Sequence, residues 1–331
     1  MPPLQFFGCS VFRCVLTLAA LLFAEFSLLD AQPTPTVSPP PAPEPQPWLQ
    51  PWREATVALG TIKEAEVATQ GKTEKKKIFV PVGTGVIMFG GQSAAEIPFL
   101  VTAKHVFEDS SKNWNPVSLQ VRFSWFESRP VDDYLGVEVK LETPKSRVWI
   151  AHPNAAVDLA CVPVSFSPSQ LGRKGVAIGT QDFATEQDFF EGAAVAVLGY
   201  PGAVGSAYWT KAVLRNGIIA WMAPTEGPRH PFMVDSNVFP GNSGGPVFRL
   251  PTGTDRFGSF GIGGRISFLG IVTSGPIQYF PAIADGKEIT VPGPQPAMVV
   301  SPNLMGLAIV EPASHVRELL DYAAKIKAPS K

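Results

Sequence analysis

Short segments in which apolar and polar residues alternate dominate the chain from about residue 55 onward. In Ser118–Trp125 every second residue is apolar, and the same alternation returns between Val137 and Glu142. A period of two is typical of antiparallel strands that bury one face. Further apolar runs predict strands at Gly85–Phe89, Phe99–Ala103, Ala193–Leu198, Gly217–Trp221, Gly270–Val272 and Leu307–Val310. The pattern predicts an all-β fold with enough antiparallel strands for two small β-barrels.

A helical period is found near the end of the chain. Apolar residues recur there at the spacing i, i+3, i+4 and i+7, at Val316, Leu319, Leu320 and Ala323. Pro312 stands near the start of this segment, where a helix does not need the missing N–H group. The pattern predicts a C-terminal helix over residues 312–326 that packs its apolar stripe on the second barrel.

The N-terminal region has the features of a targeting segment followed by a spacer. One arginine, Arg13, precedes the apolar run Val15–Ala24, which is too short to span a bilayer. The proline-rich stretch Pro33–Pro51 lacks the apolar residues of a core. We therefore predict a signal peptide or N-terminal anchor at 1–31, a linker at 32–53 and a folded domain at 54–331, with its barrels at about 54–170 and 171–311.

This organisation predicts an exported protein. Cys9 and Cys14 lie in the targeting segment, so its removal leaves Cys161 as the one cysteine of the mature chain. An intrachain disulfide is then excluded, and barrel packing has to supply the stability. We expect a bacterial periplasmic or extracellular location, with membrane attachment only if the N-terminal segment stays uncleaved.

Composition excludes several classes of function. The formal net charge is -1 and 45% of the residues are hydrophobic, which gives no large basic face for nucleic acid. The one dense basic run, Lys72–Lys77, is interpreted as a solvated loop. The four histidines and the cysteines show no metal-ligand spacing, so we expect neither a metal nor another cofactor.

Candidate chemistry begins with the segment Pro240–Pro246, Pro-Gly-Asn-Ser-Gly-Gly-Pro. A serine is a useful nucleophile in acyl transfer when backbone N–H groups already point at the developing oxyanion. Gly241 can adopt a positive φ and bring its N–H beside that of Ser243. The alternative is an ordinary surface turn, but apolar strands flank this one on both sides.

A serine nucleophile needs a base and a group that orients the base. His105 follows the apolar run Phe99–Ala103 at the end of a predicted strand, whereas the other three histidines lie in loop-like sequence or in the C-terminal helix. Asp158 lies in an otherwise uncharged, mostly apolar stretch, where a buried carboxylate needs a partner. The alternatives are a partly exposed histidine at a strand end and an aspartate that caps its own turn.

Together these segments resemble those of trypsin-like peptidases, and most closely the bacterial HtrA/Deg type. The resemblance rests on residues 102–105, 157–160 and 241–246, with support from 83–87, 198–201 and 306–310, in the family's order of His, Asp and Ser. It implies a chymotrypsin-like fold of two six-stranded barrels, the catalytic residues His105, Asp158 and Ser243, and an oxyanion hole from the amides of Gly241 and Ser243. The chain ends after the C-terminal helix, so we expect no PDZ domain.

The resemblance also implies a substrate pocket. One wall would consist of Asn237, Val238, Phe239 and Pro240, and the other of Val272, Thr273, Ser274 and Gly275. Because these walls carry no formal charge, we expect small or medium aliphatic residues before the scissile bond. The Pro/Gly-rich stretch 276–303 is either a lid or a surface decoration.

Two functions follow as alternatives. The first is a serine endopeptidase that hydrolyses polypeptides through an acyl-enzyme on Ser243. The second is a catalytically quiet protein of the same fold that binds or regulates peptides. Either could be oligomeric.

Overall fold

The computed structural model describes residues 48–69, 72–90, 97–124, 136–164, 177–202, 211–225, 227–275, 277–278, 283–284, 287–288, 303–304 and 306–327. The chain divides into two units, Met1–Pro45 and Gln46–Lys331, and all described residues belong to the second. The predicted targeting segment, most of the linker and most of 276–303 lie outside the described residues.

An antiparallel sheet forms the first half of the fold. The strands described in this half are β1 Thr56–Thr69, β2 Lys72–Gly90, β3 Ile97–Ala103, β4 Ser118–Phe123, β5 Gly136–Lys140, β6 Glu142–Thr143, β7 Ser146–Arg147, β8 Ile150–Ala151 and β9 Leu159–Pro163. Seven of them form one sheet in the order β5-β4-β1-β2-β3-β9-β8, and β6 pairs with β7 as a separate hairpin.

A closed six-stranded barrel forms the second half. The strands described here are β10 Ala194–Gly199, β11 Val213–Trp221, β12 Phe232–Asp235, β13 Pro246–Arg249, β14 Thr252–Thr254, β15 Phe260–Ile262, β16 Ser267–Ser274, β17 Ile277–Gln278, β18 Ile283–Ala284, β19 Lys287–Glu288, β20 Asn303–Leu304 and β21 Leu307–Pro312. The barrel closes in the order β10-β11-β12-β21-β16-β13, while β14-β15, β17-β20 and β18-β19 are small ladders.

The fold class is confirmed, with one difference in the first half. The second barrel has the six strands expected of it, but the first sheet has seven among the described residues. The short strand β8 extends the sheet because Ile150 and Ala151 pair with Cys161 and Ala160 of β9. The extra strand precedes Asp158 and so supports the loop that carries it.

Three apolar clusters hold these parts together. One lies within the first sheet and includes Leu59 and Leu100. A second lies within the closed barrel and includes Val234 and Val247. The third joins residues of both halves and includes Leu320 of the C-terminal helix. Burial of this shared cluster fixes the two halves against each other, since apolar surface is stabilised when it leaves water.

Short helices complete the fold. The described α-helices are α1 Gln50–Ala55, α2 Lys104–Phe107 and α3 Ala313–Lys327, and 3-10 turns lie at Ser110–Lys112, Thr180–Asp182, Glu186–Asp188 and Gly227–Arg229. Helix α3 agrees with the predicted helix, and its four apolar stripe residues are fully buried. It contacts β16 and β21 of the second barrel, as expected, and it also contacts β2 and β9 of the first sheet, which the sequence did not indicate.

The packed chain begins before the predicted boundary at residue 54. Leu49 is 1% exposed, and Trp52 of α1 lies with its ring centroid 4.4 Å from that of Phe248. The proline content predicted a spacer up to residue 53. One aliphatic side chain, Leu49, and one aromatic side chain, Trp52, therefore pack the end of this stretch against the core.

The basic run Lys72–Lys77 is part of strand β2, and the interpretation as a loop was wrong. This run continues the long β1–β2 hairpin, in which Lys77 lies directly opposite Glu64. Opposite charges at facing positions stabilise an antiparallel pair. Lys75 and Lys77 are exposed, as expected. The backbone of the run is held by its pairing with β1.

Candidate active site

The pair His105 and Asp158 is assembled at the ends of two neighbouring strands. Strand β3 ends at Ala103, which pairs with Leu159 at the start of β9. The next residues along β3 form α2, which presents His105, and Asp158 immediately precedes β9. The strand pairing therefore brings the two side chains to the same edge of the sheet.

Two hydrogen bonds, one from the ring and one from the backbone, hold His105 against the Asp158 carboxylate. His105 Nδ1 lies 2.6 Å from Asp158 Oδ2, and the His105 backbone N–H donates to Asp158 Oδ1 at 3.0 Å. A third bond, from the Lys104 N–H to the Asp158 carbonyl at 3.1 Å, holds the backbone in place. With Nδ1 occupied, Nε2 is the ring nitrogen left for proton transfer.

Ser243 lines the same cavity as His105 and Asp158. This cavity has a volume of about 330 Å³. The serine is half-buried and follows the β12–β13 connection. Among the described residues its hydroxyl makes no hydrogen bond with the imidazole. Such bonds are often long in enzymes without substrate and tighten when substrate binds.

The loop before Ser243 contains a tight turn that only glycine fits. The Asn242 N–H donates to the Phe239 carbonyl at 2.9 Å, with Pro240 and Gly241 as the central residues. Gly241 has φ +99°, and a Cβ there would lie 2.4 Å from the Tyr200 carbonyl oxygen. Proline followed by a residue with positive φ is the pattern of a type II turn. The prediction of a positive φ at Gly241 is confirmed.

Two amide groups in this loop have no acceptor. The Pro240 carbonyl accepts from the Gly202 N–H at 2.8 Å, and the Asn242 carbonyl accepts from the Gly245 N–H at 2.8 Å. In a trans peptide the N–H points opposite to the C=O, so the amides of Gly241 and Ser243 lie on the other side of these bonds. Within the described part of the chain, neither amide donates a hydrogen bond. Two unpaired N–H groups, separated by one residue, suit an incoming oxyanion.

A family comparison agrees with this geometry. The family model described as a trypsin-like peptidase domain matches residues 83–254, just over half of the chain. The chain belongs to this family. No curated protein is detectably similar to it. The match includes His105, Asp158 and Ser243, and it gives this trypsin-like peptidase domain a function of the serine-protease type.

Seven of the eight predicted wall residues of the trypsin-like peptidase domain line the cavity. They are Val238, Phe239, Pro240, Val272, Thr273, Ser274 and Gly275. The eighth, Asn237, does not line it. Asn237 is exposed, and its Oδ1 would lie 3.3 Å from a Cβ placed on Gly306. Val238 turns inward instead and is 5% exposed.

Lys112 also lines the cavity, and the sequence did not identify it. Its ammonium group lies 2.7 Å from the Asp109 carboxylate. Hydrogen bonds from Lys112 and then Ser111 lower the pKa of Asp109 to about 2, so this carboxylate is ionised beside the lysine at neutral pH. Lys112 lies in the 3-10 turn Ser110–Lys112. No sequence motif indicates that this turn lies beside the cavity.

Phe239 contacts a cation outside the cavity. The guanidinium carbon of Arg215 lies 4.6 Å from the centroid of the Phe239 ring. Burial lowers the pKa of Arg215, but the group remains a cation at physiological pH. A cation over an aromatic face stabilises the ring position. Arg215 thereby helps to fix one wall of the cavity.

Among the described residues of the peptidase domain, no group of three or more His, Cys, Asp or Glu side chains could hold a metal ion. None of the described helices is long and apolar enough to cross a bilayer.

Proposed function

We propose that this protein is a serine endopeptidase that cleaves polypeptides through an acyl-enzyme on Ser243. One observation carries the proposal. A histidine held by a carboxylate, a serine and a loop with two unpaired amides converge on one cavity. This is the set of groups that acyl transfer needs, and it is recognised by geometry and by the role of each group.

The proposed mechanism assigns one task to each group. Ser243 Oγ attacks the peptide carbonyl carbon while His105 Nε2 takes the hydroxyl proton. The carbonyl oxygen becomes an oxyanion that accepts from the Gly241 and Ser243 amides. His105 then gives the proton to the leaving amine, and the C–N bond breaks. A water molecule, deprotonated by the same nitrogen, then attacks the acyl carbon. The bond from this carbon to Ser243 Oγ breaks, and His105 returns the proton to that oxygen. Asp158 stabilises the imidazolium throughout.

A preference for small or medium aliphatic residues before the scissile bond is proposed from the cavity walls. Val238, Phe239 and Val272 supply apolar surface. Among the described residues that line the cavity, Asp158 is the one carboxylate, and it is bonded to His105. A substrate lysine or arginine would therefore find no free counter-charge there. A panel of chromogenic peptides that differ at this position tests the proposal, and fastest cleavage after arginine would contradict it.

A second candidate function is a peptide-binding or regulatory protein with little turnover. The missing hydrogen bond between the Ser243 hydroxyl and the imidazole favours it, because an unaligned base does not activate the nucleophile. In that case peptides occupy the cavity without being cleaved. Seven wall residues and two unpaired amides would serve binding equally well.

A fluorophosphonate probe separates the two candidates. The proposed enzyme is labelled in the wild type, at a rate that falls sharply in His105→Ala, and Ser243→Ala is not labelled. Ser259→Ala is the control, because Ser259 is an exposed serine that does not line the cavity, and this variant should be labelled like the wild type. No labelling of the wild type, or equal labelling of Ser243→Ala, would favour the binding protein.

We also propose that the peptidase is exported and acts on polypeptides in the periplasm or outside the cell, as an HtrA/Deg-type enzyme. The apolar run Val15–Ala24 after Arg13 supports export, and the motif segments support the subtype. N-terminal sequencing of the protein recovered from fractionated cells tests export. A start near residue 32 supports a cleaved signal, and recovery of the intact chain from the cytosol would contradict export.

A further inference from the structure

Thr84 connects the first sheet to the loop that carries the nucleophile. It lies in β2 and is fully buried. Its hydroxyl donates to the Gly241 carbonyl at 2.7 Å and accepts from the Tyr200 N–H at 3.0 Å. A threonine from the first sheet thereby joins two separate loops of the second barrel.

The backbone of Thr84 adds two further bonds. Its N–H donates to the Ser243 carbonyl at 2.8 Å, and its carbonyl accepts from the Thr102 hydroxyl at 2.7 Å. The approach is so close that a Cβ on Gly244 would lie 1.9 Å from the Thr84 carbonyl oxygen. Thr84 is therefore held in a fixed position relative to residues 240–246, the nucleophile loop that carries Ser243.

These contacts act on both peptide groups next to the Gly241 α-carbon. The peptide after it is held directly, because its carbonyl accepts from Thr84 Oγ1. The peptide before it is held through the segment Tyr200–Gly202, since the Gly202 N–H bonds the Pro240 carbonyl and the Tyr200 N–H is fixed on Thr84. Rotation of the Pro240–Gly241 peptide would turn the Gly241 N–H away from an oxyanion. This rotation has to break the bond from Gly202.

We propose that Thr84 is a positioning residue that keeps the Gly241 amide in the orientation required for oxyanion stabilisation. The inference rests on the proposed peptidase function. It goes further because it assigns an effect on the reaction rate to a residue of the first sheet. Thr84 contacts neither the substrate nor Ser243 Oγ. The hydroxyl is the active part, because it alone bridges Tyr200 and Gly241.

The test compares Thr84→Val with Thr84→Ser. Valine keeps the size of threonine and removes the hydroxyl, whereas serine keeps the hydroxyl. Loss of an oxyanion-hole donor costs about 10²–10³ in kcat. Because the amide is loosened and not removed, we expect Thr84→Val to lower kcat by about 10- to 100-fold with KM within about threefold. Thr84→Ser should restore kcat to near the wild-type value.

Thr56→Val is the matched control. Thr56 is also fully buried, and its hydroxyl likewise donates to a backbone carbonyl, that of Trp52, at 2.7 Å. It lies at the α1–β1 junction, and among the described residues its hydroxyl makes no hydrogen bond with the loop of residues 240–246. Its carbonyl, which the substitution keeps, accepts from the Tyr200 hydroxyl at 3.5 Å. This variant should lose stability to a comparable extent and keep kcat. A purely structural role for Thr84 predicts the same behaviour in both valine variants.

A peptidyl boronate gives a second readout. Its tetrahedral adduct on Ser243 places a boron-bound oxygen where the oxyanion forms, so its affinity reports the hole and not the base. Affinity should fall in Thr84→Val by about the same factor as kcat/KM. An unchanged kcat, a loss expressed in KM alone, or no rescue by serine would each overturn the inference.

Gly202 provides a variant for the case in which Thr84→Val does not fold. Gly202 is exposed, and Gly202→Pro removes the N–H that bonds Pro240 while Gly202→Ala retains it. The proline variant should have the lower kcat and the weaker boronate binding of the two. Equal values would overturn the inference. A wild-type protein that neither hydrolyses peptides nor reacts with fluorophosphonate would instead contradict the proposed function itself.

Discussion

At the scale of single residues, the catalytic arrangement depends on how Asp158 holds His105. One carboxylate oxygen bonds the ring at Nδ1, and the other bonds the backbone N–H of the same residue. The carboxylate thus fixes both the orientation of the ring and the start of helix α2. An asparagine in its place has a single acceptor oxygen and cannot satisfy both groups.

Asp158→Asn should lower kcat by about 10³–10⁴-fold with little change in overall fold, because the imidazole loses its tautomer and its stabilising charge. Peptide hydrolysis and the rate of fluorophosphonate labelling measure the effect. Asp182→Asn is the control, since Asp182 also binds a backbone N–H, that of Gly179, at 3.0 Å but lies in a surface turn. A variant of Asp158 with activity within tenfold of the wild type would contradict its assigned role.

Sequence motifs identified the candidate catalytic residues but not the residues that hold them in place. His105, Asp158 and Ser243 each stand in a short segment whose neighbours reveal the chemistry. Thr84 bonds Gly241 across 157 positions of the chain, and no local pattern reveals such a contact. Asn237 was expected to line the cavity from the resemblance to trypsin-like peptidases. The structure leaves its side chain exposed and buries that of Val238, and a count of positions cannot show this difference.

At the scale of elements, the periodicity of α3 predicted which face of the helix is buried but not which strands cover that face. The period of the apolar residues gave the buried face correctly, since it depends only on the helix geometry. It carries no information about the surface that covers this face. The shared cluster contains Leu320 together with Phe99 of β3 and Phe268 of β16. The helix therefore joins the two halves.

Leu320→Ala should lower the free energy of unfolding by about 2–5 kcal/mol, because a fully buried side chain leaves a cavity in a packed interior. Urea denaturation measures the change. Ile326→Ala, in the same helix, should have a small effect because Ile326 is 50% exposed. Equal destabilisation by the two variants would mean that α3 is held by contacts other than its apolar stripe.

The β1–β2 hairpin shows the opposite case, in which composition misled. Lysines at high density predicted a loop because charged residues are depleted in strands. In the hairpin, the register places Lys77 opposite Glu64, and each further pair extends the ladder. Charge complementarity between the two arms of a hairpin becomes visible only when the register is known.

At the scale of the whole molecule, a buried and a half-buried histidine lie where the first sheet meets α3. His152, between β8 and β9, has a side chain 1% exposed, with Nε2 3.5 Å from the Glu318 carboxylate. His315 Nδ1 lies 2.7 Å from Glu311 Oε2, and the two imidazole rings are 5.7 Å apart. The sequence placed His152 in a loop-like segment and His315 in the C-terminal helix. It did not indicate that the two rings lie close together, because residues so far apart in the chain meet only when the whole domain has folded.

The environments of the two histidines shift their pKa values in opposite directions. Burial lowers the pKa of His152 below its ordinary value of 6.5, and the nearby charge of His315 acts in the same sense. The hydrogen bond to Glu311 raises the pKa of His315 above 6.5, against the effect of burial. The arrangement therefore favours the neutral form of His152 beside the protonated form of His315.

The stability contributed by this pair should be greatest near pH 6.5 and should fall on both sides. A lowered pKa in the folded state means that the unfolded chain binds more protons, so the contribution of His152 is full above 6.5 and is lost as the pH falls through its folded value. A raised pKa has the opposite sign, so the contribution of His315 is full below 6.5 and is lost as the pH rises through its folded value. Urea denaturation at a series of pH values should show that His152→Gln weakens the loss on the acid side and that His315→Gln weakens the loss on the alkaline side. Each variant is the control for the other. An alkaline slope that persists unchanged in His315→Gln would mean that the Glu311 contact does not stabilise the imidazolium.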